Sequence, residues 1–102
     1  MKFSFHGKIW KYVRSKFNKK ADWNGKCDPP DAPAVARKIR VCKSLTGKEE
    51  LDTNIHEMIH ACCWYLDEEV VRQSATDIAK ALWQLGYRKT SDASEKRKEK
   101  NK

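Results

Sequence analysis

A chain of 102 residues, 39% hydrophobic and 35% charged, is sized for one domain with a modest core. It contains no apolar run near the ~18 residues of a membrane span, and Lys8, Lys11, Arg14 and Lys16 fall where an export signal needs an apolar segment. The expectation is a cytoplasmic protein whose Cys27, Cys42, Cys62 and Cys63 are free thiols. The net charge of +8 is uneven: residues 1–20 carry seven basic and no acidic groups, residues 48–87 three basic and eight acidic, and residues 88–102 seven basic and three acidic. Basic ends of this kind suit weak binding to phosphate backbones, or simply keep the chain in solution.

The first half reads as strand and loop. "FSFHGKIWKYV" sets aromatic and β-branched residues around Gly7, although Ile9, Tyr12, Val13 and Phe17 also fit a helical spacing. Trp10, Tyr12 and Trp23 lie among lysines, a mixture that serves either a core or a single-strand binding surface. In "DWNGKCDPPDAP", Asn24-Gly25 is a hairpin-type turn signal, and Pro29, Pro30 and Pro33 forbid regular structure. "RKIRVCKSL" alternates, with Ile39 and Val41 on one side and Lys38, Arg40 and Cys42 on the other, as in a strand with one wet face.

The second half reads as two helices. Thr46-Gly47-Lys48-Glu49 has the form of a capping box. Leu51, Ile55, Met58, Ile59, Cys62 and Leu66 follow as an apolar stripe, with the helix stopping near Leu66. Asp67 suits the N-cap of the next helix, which carries Val71, Ala75, Ile78, Leu82 and Leu85 on its apolar side and ends at Gly86. The short joint forces the pair antiparallel. The fold class is therefore α+β: a short antiparallel β-sheet followed by an antiparallel helical hairpin. One domain over residues 1–87 and a disordered basic tail over 88–102 are expected.

The first of these helices contains His56-Glu57-Met58-Ile59-His60, the pattern H-E-x-x-H. Residues four apart in a helix share a side, so both imidazoles can address one metal ion. Glu57, one step round, can reach a water activated by that ion and act as general base. The plain alternative is two histidines and a glutamate at the edge of an amphipathic helix.

Together, "DTNIHEMIHA" and a second helix ending "ATDIAKALWQLGY" resemble the zincin metallopeptidases, and more narrowly the minimal gluzincin-like type of small bacterial and phage proteins. The resemblance covers about residues 37–87. It implies a Zn2+-dependent hydrolase of peptide or protein substrates, with the strand at about 37–45 offering an edge to an extended peptide. It also implies a glutamate ligand on the second helix, commonly in an E-x-x-x-D or E-x-x-A-N arrangement. Here those glutamate positions hold Gln73 and Arg72.

After His60 the candidate carboxylates are Asp67, Glu68, Glu69 and Asp77. A turn at about residue 66 sets His60 opposite residue 73 and His56 opposite residue 77. Asp77 is then the expected third ligand, with Glu69 or the Gln73 carbonyl as alternatives. Asp67 and Glu68 are assigned to the helix dipole. Cys63 and His6 are more distant candidates, and Cys27 and Cys42 lack the spacing of a structural zinc site. A non-catalytic module on the same scaffold, binding metal, nucleic acid or an acidic partner, is the alternative function.

Overall fold

The computed structural model describes residues 1–16 and 24–89. They form an α+β fold in the order β1 (Lys2–Phe5), β2 (Lys8–Ser15), β3 (Gly25–Cys27), β4 (Lys38–Cys42), α1 (Gly47–Cys62) and α2 (Glu68–Gln84). Trp23 and the expected tail from residue 90 onward lie outside the described residues.

Residues 8–15 form a strand, and Phe17 lies outside the described residues. His6 and Gly7 both have positive φ, 52° and 78°, which is the backbone of a tight two-residue hairpin turn. That turn sets β1 antiparallel to β2, with Phe3 opposite Trp10. The sheet order is β1-β2-β4-β3. It is mixed rather than purely antiparallel, because β2 and β4 run parallel while β3 and β4 run antiparallel. Consequently β4 is paired on both sides and offers no free edge, and among the described strands the edge beside the helices belongs to β3.

Alternation along the strands divides the sheet into two faces. One carries Trp10, Ile39, Val41 and Cys27, which with Leu45 and Ala61 form the core under α1. Trp10 is 1% exposed and donates its indole N–H to the Asp28 carbonyl at 2.9 Å, so it is a core residue and not a stacking platform. Asn24-Gly25 is not a turn. Gly25 opens β3, and the Asn24 carbonyl accepts the Cys42 N–H.

Helix α1 does not bury the expected stripe. Its buried residues are Glu50, Thr53, Glu57 and Ala61, while Leu51, Ile55, Met58 and Ile59 are half-buried. The reason is a buried ion pair: Arg14 on β2 holds Glu50 at 2.9 Å, and Lys89 reaches the same oxygen at 2.9 Å. The capping box does not form either. Gly47 takes φ +57°, off the helical path, and the Thr46 side chain makes no cap hydrogen bond.

Helix α2 starts as expected, with the Asp67 carboxylate accepting the Glu69 N–H at 3.1 Å. It ends in a Schellman motif, Tyr87 N–H to the Leu82 carbonyl and Gly86 N–H to the Trp83 carbonyl. Val71, Ala75 and Ala79 are its buried residues, whereas Ile78 and Leu85 are 44% and 74% exposed. The fold continues past residue 87, since the Arg88 guanidinium stacks on the Trp83 ring and Lys89 pairs with Glu50.

Candidate metal centre

Helix α1 sets His56 and His60 one turn apart on the side facing the start of α2. Their Nε2 atoms lie 3.2 Å apart. Glu68, the first residue of α2, brings Oε1 to 2.9 Å from His56 Nε2 and Oε2 to 2.8 Å from His60 Nε2. These three side chains are the one group of His, Cys, Asp and Glu among the described residues whose ligand atoms lie close enough to hold a metal ion, all within 4.8 Å of one another. Tetrahedral zinc with bonds of about 2.0–2.1 Å separates its ligand atoms by roughly 3.3 Å. The two imidazole nitrogens, 3.2 Å apart, match that separation, and two imidazoles with one carboxylate would leave a fourth position of such an ion open.

Burial lowers the pKa of His60, and the neighbouring His56 lowers it further, while the charge of Glu68 and its hydrogen bond pull it upward. The net effect favours the neutral imidazole, the form that ligates. Glu57, one step round the helix, is 5% exposed. Burial, followed by the negative charge of Glu68, raises its pKa to about 7.

Strand β3 shapes the other wall. A Cβ on Gly25 would stand 2.8 Å from Glu57 Oε2 and 2.8 Å from Thr53 Cγ2, so only glycine lets the strand approach this closely. Cys27 is buried on the same strand, and burial, then Glu57 and Asp28, push its thiol to about 12. It is therefore held as a protonated thiol in the metal-free chain. A cleft of about 930 Å³ is lined by Gly25, by His56, Glu57 and His60 of α1, and by Trp64 and Arg72.

The structure thus brings His56, Glu57 and His60 together as the motif requires, and it adds Glu68, which sequence reasoning assigned to the helix dipole. Asp77 is not in the group. It is exposed on α2, nine residues and so roughly 13 Å of helix beyond Glu68. Glu69 is engaged by Arg72, and Gln73 is exposed. His6 lies 3.4 Å from Cys62 Sγ, away from the metal group, and Cys63 is exposed.

The physical reason is register. Helix α1 ends at Cys62 instead of Leu66, with the Cys63 N–H bonded to the Ile59 carbonyl and a turn closed from Leu66 N–H to the Cys63 carbonyl. That earlier end slides α2 by more than a turn, setting Glu68 beside His60 and Thr76 beside Asp52, where the Thr76 hydroxyl donates at 3.0 Å. No glycine or proline marks the earlier stop, so the signal was absent from the sequence. No known protein family, curated protein or solved structure matches the chain.

Proposed function

We propose that this protein is a zinc-dependent hydrolase of peptide bonds, with His56, His60 and Glu68 as metal ligands and Glu57 as general base. The observation that carries the reading is the convergence of three ligand atoms beside a buried carboxylate in an open cleft. Zinc bound there supplies Lewis acidity and lowers the pKa of water toward about 7. Glu57 accepts the proton of the attacking water and returns it to the leaving amine. Its side chain is buried beside the ligand cluster and lines the cleft, where a proton can be taken up and returned. The substrate lies extended along β3, which among the described strands has β4 on one side only and lines the cleft.

The test is metal content and hydrolysis measured on the same samples. The expected result is about one zinc per chain, lost in His56→Ala and sharply weakened in Glu68→Gln. Glu57→Gln should retain zinc while losing cleavage of a fluorogenic peptide library. Purified protein that neither carries nor takes up zinc, cobalt or nickel sinks the proposal, as does a Glu57→Gln variant as active as the parent.

A further inference from the structure

The sheet face opposite the helices carries five cationic side chains among the described residues. It displays Lys2 from β1, Ile9, Lys11 and Val13 from β2, Lys38 and Arg40 from β4, and Lys26 from β3, as the alternation of the strands requires. No described element packs on it. Lys2, Lys11, Lys26 and Arg40 are exposed, and Lys38 is half-buried.

The register makes neighbours of these cations. Lys2 is opposite Lys11, Lys11 is opposite Lys38, and Lys26 is opposite Arg40. Like charges directly opposite on neighbouring strands are destabilising. Lys2, Lys11, Lys38 and Arg40 make no ion pair with any described acidic residue. Asp28, beside the patch, accepts the Lys38 backbone N–H at 2.9 Å. The remaining chain does not balance the charge, since residues 17–23 carry two basic groups and one acidic, and residues 90–102 five basic and three acidic.

We infer that this face binds the phosphodiester backbone of nucleic acid. Rows of cations about 4.8 Å apart across three strands match a linear polyanion. Among the described residues the face holds no aromatic side chain, so these groups engage phosphates without stacking bases and are indifferent to sequence. A membrane partner fits less well, because among the described residues Ile9, 49% exposed, and Val13 are the only aliphatic side chains larger than alanine on the face. The surface lies across the sheet from the metal centre and does not depend on it.

The test is fluorescence anisotropy of a labelled 20-nucleotide mixed-sequence RNA and the same single-stranded DNA, titrated with the full zinc-treated chain. Binding should weaken steeply with salt. The triple variant K11Q/K38Q/R40Q should bind at least tenfold more weakly near 50 mM salt, with the log–log salt slope reduced by about 2. K11R/K38R/R40K, which keeps the charges, should bind like the parent and controls for folding. His56→Ala should also bind like the parent, which separates this inference from the hydrolase proposal. The inference is overturned if K11Q/K38Q/R40Q keeps parental affinity, which would shift binding to the chain ends. It is equally overturned if phosphatidylserine vesicles capture the protein and neither nucleic acid does.

Discussion

At the scale of single residues the decisive group is Glu57, a carboxylate held almost out of water beside a second carboxylate. Its pKa in the metal-free fold is about 7 against an ordinary 4.5, so the folded chain holds this proton more tightly than the unfolded one. The associated stability is complete below about pH 4.5 and is lost as pH rises through about 7. A change of that size corresponds to about 3 kcal/mol. Glu57→Gln, which stays neutral, should therefore exceed the parent in stability by about that amount at pH 8 with chelator present. The gap should close below pH 5, and urea denaturation at the two pH values checks it. Equal stabilities at pH 8 would mean that Glu57 is solvated. Gly25 is the companion residue. Gly25→Ala drives a methyl into the Glu57 carboxylate and the Thr53 methyl, at a cost of about 1–3 kcal/mol. Hydrolysis should fall at least tenfold while zinc affinity changes little, as kcat and chelator competition on one preparation would report.

At the scale of elements, the orientation of α1 depends on Arg14. Its guanidinium pairs with buried Glu50 and donates to the carbonyls of Cys42 at 3.1 Å and Leu45 at 2.9 Å, joining β2 to the end of β4 and the first turn of the helix. Arg14→Met leaves Glu50 with Lys89 alone and should cost about 3–5 kcal/mol. The double variant R14M/E50Q should recover part of that loss in equilibrium denaturation, and strict additivity would show that the two side chains are not coupled.

This contact also marks where the sequence stopped being readable. The H-E-x-x-H pair was legible because residue identity and a 3.6-residue period are local, and the wet and dry sides of β4 followed from alternation for the same reason. The buried face of α1 was not, because a distant arginine makes Glu50 a core residue and leaves Leu51 half-exposed. Nor was the third ligand. Every candidate on α2 was visible, but choosing among them required the point at which α1 ends, and a difference of four residues moved the carboxylate beside the two histidines from Asp77 to Glu68. Chelator competition should accordingly show zinc affinity at least tenfold weaker in Glu68→Gln and unchanged in Asp77→Asn.

At the scale of the whole molecule, the two halves are unequally secured. The largest fully buried side chains are Trp10, Ile39, Val41 and Val71, and three of the four belong to the sheet and its contact with α1. Helix α2 packs chiefly on α1, burying only Val71, Ala75 and Ala79, and at its N-terminus it is bound to α1 through Glu68 and the two histidines. A metal ion bound at that point would fasten the less secured helix to the better-secured half. Binding that is confined to the folded state contributes about 4 kcal/mol when free metal exceeds its Kd a thousandfold. For a domain of this size that raises Tm by roughly 15–30 °C. Zinc-loaded protein should therefore melt well above the same protein in chelator. Hydrogen exchange should localise the difference, with amides of α2 and of residues 63–67 losing protection first on chelation while β2 and β4 hold theirs. Equal melting temperatures would remove the metal from the stability of the fold. A uniform loss of protection would mean that the chain opens as one unit, with the ion securing the sheet and α1 as much as α2.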